Sequence, residues 1–442
     1  MRPHPALLPR ERGRRRIAYY YNFSKIHTIP DNANSYICID NQLYCNIISS
    51  MDKQKSLKRL IIITALFSAG SALSDVFVNI YIWRVKADFM LISKYLLACY
   101  IVVPFTFYLC GYLGTKIDRV KIHMAGMLFF ILFYLMVLGF NKNLINHLIE
   151  IGIVKGIAMG LYWFGYHILT YDYTGSHNRD KFYGTVSVLG GLSAMFAPLI
   201  SGFTTEHLAG FKGYYTVFAV TGVLFAAAII LAKPLKAALI TKPYKVEDLI
   251  FTKDKKWGRT MLAYFFLSGR DSISMFLIAI LVVSETGSEF TFGKLAFLTS
   301  LITITSAYIV GRYSKPGVRS SYVLAGGILH FFSAFLLIYS INLQTLIIYG
   351  ILTAVADHFV KIPLSAHAMD LISLDANAHE RKMEYLVARD FPIAAGRVLT
   401  LLLFMFLIKH LDTAAIKVII VTISLLPFAV YFALYSRPGA KN

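Results

Sequence analysis

Three acids and three bases lie deep inside apolar runs of this chain: Asp75, Asp271 and Asp357 against Arg270, Lys361 and Arg397. An ionisable side chain near the centre of a bilayer costs about 2.5–3.5 kcal/mol on insertion scales, so it faces a partner or a water-filled cavity. Arg270 and Asp271 sit about eleven residues into their run. Neighbours on a helix are about 100° apart, so both can border one cavity without pairing directly. Asp357 and Lys361 are four residues apart and share a helix face. They either neutralise each other or form a proton or anion site, with His358 beside them as a further proton-handling group. Pro363 follows and can kink that helix. Ser68, Ser71, Asp75 and Asn79 recur at spacings of three and four, which makes a polar stripe. Asp75 is the best single carboxylate for carrying a coupled proton. Trp163, Tyr166 and His167 are candidate cavity walls, although aromatics there more often serve packing. Lys155 adds one positive charge nearer the end of its run. A balanced set of this kind favours a polar or anionic solute over a lipophilic one. The alternative throughout is a set of structural ion pairs between helices.

These residues need transmembrane helices to position them. The chain has 442 residues, 57% hydrophobic and only 15% charged, with a mean hydropathy of +0.60. Soluble domains carry roughly 25% charge, so the apolar excess needs lipid. A crossing helix takes about 20 apolar residues. Runs of that length predict twelve spans, near 59–83, 89–114, 123–140, 147–171, 183–207, 213–232, 260–284, 290–311, 322–341, 343–371, 384–409 and 414–436. No long alternating segments of barrel type occur. The expected fold is an all-α membrane protein of twelve transmembrane helices in two six-helix bundles.

Charge supplies orientation and domain organisation. There are 44 Lys+Arg against 24 Asp+Glu. In a soluble protein that excess would suggest nucleic acid; here the basic residues fall in short gaps between apolar runs. From Met51 onward, 24 of them lie on the side of the Met51 tail and 7 on the other. That asymmetry predicts both ends in the cytoplasm and an even number of spans. Residues 1–50 are a different kind of sequence, Arg-rich at the start and without an apolar run of signal-peptide length. They read as a disordered or spurious extension ahead of Met51. The remaining chain divides into an N-terminal bundle (51–232), a basic cytoplasmic linker (233–259) and a C-terminal bundle (260–442), the pattern of an internally repeated transporter. Cys38, Cys45, Cys99 and Cys110 make no disulfide or zinc framework.

The connections carry recognisable patterns. After span two comes GYLGTKIDRVK (Gly111–Lys121), with Gly111, Gly114, Asp118, Arg119 and Lys121 at the marked positions. Between spans eight and nine, GRYSKPGVR (Gly311–Arg319) echoes it. After span four comes NRDKFYG (Asn178–Gly184), containing Arg179, and after span ten ERKMEY (Glu380–Tyr385) repeats it. Span five carries Gly190-Gly191 and then APLISG (Ala197–Gly202). Taken in order over residues 51–442, these resemble the major facilitator superfamily. Its first-loop pattern is G-x-L-x-D-R-x-G-R-R/K; here Thr115 stands at the acidic position and Asp118 at the later glycine. The resemblance implies a secondary transporter whose two bundles rock around a central cavity. It also implies that Arg119 pairs with Asp172 at the inner end of span four, a gate that closes the cytoplasmic side of the outward-facing state. The Gly/Pro-rich fifth helix resembles that of exporters, which tilts the expected direction toward export.

No G-x-x-x-x-G-K-[ST], H-E-x-x-H or G-x-S-x-G motif occurs, and no convincing His/Cys metal cluster. The expected protein is therefore a non-enzymatic secondary active transporter with neither cofactor nor metal, proton-coupled, moving a small-molecule solute across the cytoplasmic membrane. Its expected partners are that solute, protons and membrane lipid, with no nucleic acid, and it is expected to be a monomer. Two alternatives stay open: a flippase for a lipid or lipid-linked precursor on the same fold, and a membrane enzyme or sensor without transport.

Overall fold

A computed structural model describes residues 42–174, 179–235, 245–251, 254–375, 381–411 and 414–435. The expectation for the N-terminal extension lies outside the described residues as far as residue 41. The chain divides after Lys55 into two units, and the packing and sites described here belong to the second, residues 56–442.

All regular structure among the described residues is helical. The helices are α1 (Gln42–Val85), α2 (Phe89–Leu113), α3 (Arg119–Phe140), α4 (Leu148–Tyr173), α5 (Arg179–His207), α6 (Lys212–Ala232), the short α7 (Glu247–Ile250), α8 (Lys255–Thr286), α9 (Glu289–Tyr313), α10 (Arg319–Tyr339), α11 (Leu343–Ser373), α12 (Lys382–Leu411) and α13 (Ala414–Tyr435). Twelve of these, all but α7, are long and apolar enough to cross a membrane. Several run past the apolar cores from which they are predicted. α8 begins at Lys255 rather than near 260, because Asp254 accepts a hydrogen bond from the Lys256 amide at 2.8 Å. A helix ends where its terminal amides and carbonyls find partners, not where hydrophobicity stops.

Side-chain caps fix the short connections. Asp88 caps α2 and Asp118 caps α3, each accepting from an amide two residues on. Ser288 caps α9 through the Thr291 amide at 3.0 Å, and Asn342 with Thr345 forms a reciprocal capping box on α11. Gly287 closes α8 in the left-handed region at φ 68°, a conformation that suits glycine.

α2, α3, α4 and α6 pack on one another, and α8, α10, α11, α12 and α13 do the same in the second half. Contacts between the halves run through α5 with α9 and α2 with α12. The α2–α4 seam is a stripe of small residues. A Cβ on Gly152 would lie 2.5 Å from Tyr95 O, and one on Gly156 2.7 Å from Cys99 O. Without lipid-side hydrophobic drive, close backbone approach of this kind is what binds helices in a bilayer.

The two halves repeat one ion pair. Arg119 Nη1, at the start of α3, lies 2.7 Å from Asp172 Oδ2 near the end of α4. Arg319 Nη1, at the start of α10, lies 2.5 Å from Asp370 Oδ2 near the end of α11.

Candidate functional site: a cavity between the two halves

A cavity of about 320 Å³ lies between the halves. Its walls come from α1, α2, α3, α4 and α5 on one side and from α8 and α12 on the other. Of the residues singled out in the sequence, Asp75, Asn79, Trp163 and Arg397 line it, as do Ser68 and Ser71 of the α1 stripe. The stripe works as periodicity dictates: positions three and four apart on α1 present one polar face to the hollow.

Asp75 has a partner. Lys155 Nζ of α4 lies 3.2 Å from Asp75 Oδ1, and the Tyr134 hydroxyl of α3 donates to the same oxygen at 3.4 Å. Lys155 is buried, with its ammonium over the Phe133 ring at 5.2 Å and the Tyr95 ring at 5.6 Å. The Asp75 side chain keeps 36% of its surface exposed. Both partners line the cavity, Lys155 largely buried behind the more exposed Asp75.

Arg397 lies on the opposite wall, its guanidinium 5.2 Å from the centre of the Tyr100 ring. Trp163 packs edge-on against Tyr162 and Tyr166, and the Tyr166 ring neighbours His167 at 5.4 Å. The α4 aromatics thus do both jobs considered for them, with Trp163 at the cavity and Tyr166 in the core.

The second-half charges form a separate cluster. Arg270 Nη1 lies 3.0 Å from Asp271 Oδ1 and 2.6 Å from Asp357 Oδ1. Lys361 Nζ lies 3.1 Å from both Asp271 Oδ2 and Asp357 Oδ2. Four alternating charges close into a ring that ties α8 to α11. His330 of α10 joins it, its Nε2 3.2 Å from Asp357 Oδ1. Arg270 and Asp271 thus pair directly as well as across helices, the arginine side chain being long enough to fold back along its helix. His358 is not in the ring; its Nδ1 faces Ala354 O on its own helix at 3.1 Å. None of Arg270, Asp271, Asp357, His358 and Lys361 is among the residues lining this cavity. They pair with one another, with Asp271, Asp357 and Lys361 still partly exposed, and the lining of this cavity comes mostly from the first half.

In the first loop, Gly114 follows α2 with its amide 2.8 Å from Cys110 O. Gly111 is buried in the last turn of α2. Asp118 is occupied in capping α3, Arg119 is buried against Asp172, and Lys121 is exposed. Arg179 opens α5, but its side chain lies outside the described residues. Among those residues, no cluster of His, Cys, Asp and Glu is suited to holding a metal ion.

The chain matches the profile of the Major Facilitator Superfamily over residues 60–379. It belongs to that superfamily. It is 31% identical over 367 residues to the uncharacterized protein YqgE of Bacillus subtilis (strain 168), covering 83% of this chain and 85% of that one. A second relative, an uncharacterized protein in the sodM 3′ region of Geobacillus stearothermophilus, is 33% identical over 164 residues, covering 37% of this chain and 77% of that one. Among solved structures, the nucleoside transporter NupG aligns with a TM-score of 0.65 at 12% identity, over 86% of this chain and 99% of that one. A bacterial homologue of the iron transporter ferroportin, in an inward-facing state, aligns at 0.62 and 15%, over 87% and 99%. The human organic anion transporter MFSD10 aligns at 0.62 and 13%, over 86% and 99%. These three show the shared fold. The chain is thus a multi-pass membrane protein of a secondary-transporter superfamily.

For a superfamily member, the contacts between halves matter as much as the cavity. At the end that carries residues 86–88, 208–211 and 287–288, Arg84 Nε lies 2.7 Å from Glu289 Oε1. Arg84 Nη2 also donates to Gly287 O at 2.6 Å, and the Tyr214 hydroxyl donates to Glu289 Oε1 at 2.6 Å. The Ser288 hydroxyl and the Phe290 amide both donate to Glu206 Oε2, at 2.5 and 3.1 Å. α1, α5 and α6 are thereby latched onto the α8–α9 turn. Gly202 of α5 meets the Glu289 backbone closely enough that a Cβ would lie 2.5 Å from Glu289 O. The fifth-helix glycine is used here for packing between halves. Arg84, Glu206, Glu289, Tyr134 and His330 carry no motif in the sequence. Their only advance signal is a charged or polar residue beside a span end or within an apolar run.

Proposed function

We propose that the cavity between the halves is the solute site of a secondary active transporter, with alternating access through the two ends of the molecule. The observation that carries the reading is the cavity itself, walled by helices of both halves, with the Asp75–Lys155 pair in its side. Rocking of one half against the other would open such a hollow to either face in turn. Asp75 is the coupling carboxylate in this reading. Protonating it releases the Lys155 ammonium from its salt bridge, so proton and solute occupancy change the same wall. The positive-inside asymmetry supports placing the latched end, with Arg84 and Glu289, on the outside and both termini in the cytoplasm. The Arg119–Asp172 and Arg319–Asp370 pairs then lie at the cytoplasmic end as conformational ties.

The test is accumulation. Proteoliposomes holding the protein are incubated with a polar-metabolite extract under an imposed pH gradient, and retained compounds are read by mass spectrometry. A compound retained above protein-free vesicles, with accumulation that collapses in Asp75→Asn, is the expected result. The sign of the productive gradient reads the direction of movement. No retained compound under either gradient overturns the reading.

A further inference from the structure

The cavity wall has an unbalanced charge. Its lining holds one carboxylate, Asp75, and two cations, Lys155 and Arg397. Asp75 is engaged by Lys155 and by the Tyr134 hydroxyl. Arg397 has its guanidinium over Tyr100 but, among the described residues, no carboxylate within salt-bridge distance. Asp390, two turns back on the same helix, lies within Coulombic range of Arg397 but makes no salt bridge with it. Three polar atoms of the lining are buried without a hydrogen-bond partner in the protein: Arg397 Nε, Ser71 Oγ and Asn79 Oδ1. The rest of the wall is flat and greasy, with Phe67, Phe130, Trp163, Met275 and Phe276. At about 320 Å³ the hollow is at the small end of ligand cavities.

We propose that Arg397 is the anchor for an organic monoanion, a carboxylate on a small aromatic or otherwise flat apolar body. The carboxylate takes the free guanidinium edge, the polar stripe of Ser71 and Asn79 meets a donor or acceptor on the solute, and the ring lies among the aromatic walls. A guanidinium presents a planar fork of donors that matches a carboxylate. A cationic solute is disfavoured by the two positive groups, because the one acid in the wall is already engaged. The ring of Arg270, Asp271, Asp357 and Lys361 adds nothing to the balance, since its two acids and two bases cancel within it. This substrate class rests on the cavity being the solute site.

The test is equilibrium binding on the purified full chain in detergent, with probes that share a ring and differ in charge. Radiolabelled benzoate and 2-naphthoate are measured directly and then competed with benzylamine, 2-naphthylmethylamine and benzyl alcohol. The expected result is saturable carboxylate binding that neither amine displaces. Arg397→Gln weakens it at least tenfold, and Arg397→Lys weakens it less, because the charge stays while the planar fork is lost. Thermal transitions of the variants confirm that they fold. Amine binding equal to or tighter than carboxylate binding, or an Arg397→Gln protein that binds benzoate as the parent does, overturns the anion assignment and leaves the cavity as a solute site. Absence of binding by every probe, whatever its charge, overturns the anion assignment, while the accumulation assay separately decides whether the cavity is a solute site.

Discussion

Lys155 reaches from α4 to place its Nζ 3.2 Å from Asp75 Oδ1 on α1, and the carboxylate it holds borders the cavity between the halves. The lysine ammonium lies over the Tyr95 and Phe133 rings, and the Tyr134 hydroxyl donates to the same carboxylate oxygen. Asp75→Asn removes the proton acceptor and keeps the shape. Gradient-driven accumulation in proteoliposomes is expected to fall at least tenfold, while exchange of solute at equal pH on both sides persists. Full accumulation by Asp75→Asn rules out the coupling role.

The ring in the second half is expected to act on stability first. Arg270 is buried, with 3% of its side chain exposed. Removing one partner of a buried pair costs about 3–5 kcal/mol, because the remaining charge is left uncompensated. Asp357→Ala should therefore lower the thermal transition of the detergent-solubilised protein markedly. The double change Arg270→Met/Asp357→Leu should recover most of the loss, since apolar replacements of similar volume remove both charges. A double variant as unstable as the single one would show that the ring does more than hold α8 to α11.

The latch at Arg84 and Glu289 predicts a shift in conformational population. Glu289→Gln weakens a contact worth roughly 1–2 kcal/mol at a partly buried site, a five- to thirtyfold change in a two-state equilibrium. A Ser71→Cys reporter, in a background with Cys38, Cys45, Cys99 and Cys110 all changed to serine, reads it. With an impermeant maleimide applied from the Arg84 side, labelling of the Glu289→Gln protein should rise severalfold. Unchanged labelling would mean that the contact is local and does not tie the halves.

Arg119–Asp172 and Arg319–Asp370 predict the opposite shift. Asp172→Asn should increase labelling of the Ser71 reporter from the far face and decrease it from the Arg84 side. Exchanging the charges in Arg119→Asp/Asp172→Arg should return it toward the parent value. If the single and the exchanged variants label as the parent does, the pair is not a conformational tie.

The α2–α4 seam gives a packing prediction. Gly156→Leu drives a side chain into Cys99 O and Val102, both within 3.1 Å of the glycine's missing Cβ. Overpacking typically costs about 1–3 kcal/mol, and here it also displaces the turn that carries Lys155. A fall in thermal stability with a parallel loss of Asp75-dependent transport is expected.

The class of protein was legible from one dimension. Apolar runs of membrane length, a lopsided distribution of Lys and Arg and two loop patterns each echoed once in the second half are local properties. They carry through to twelve apolar helices and to the Arg119–Asp172 distance. The α1 stripe was legible for the same reason, since helical periodicity puts Ser68, Ser71, Asp75 and Asn79 on one face whatever the rest of the chain does.

Partnership between distant residues was not legible. Asp75 and Lys155 are 80 positions apart, and Arg84 and Glu289 205 apart; which acid meets which base depends on how helices are rotated and stacked. The sequence showed an even balance of deep charges, but only the tertiary structure divided them, closing four into a ring and leaving Arg397 at the cavity wall without a salt bridge among the described residues. The physical reason is range. Periodicity and hydropathy act along a few turns of one helix, whereas a salt bridge reaches only about 4 Å through space, and packing alone brings its two ends within that distance.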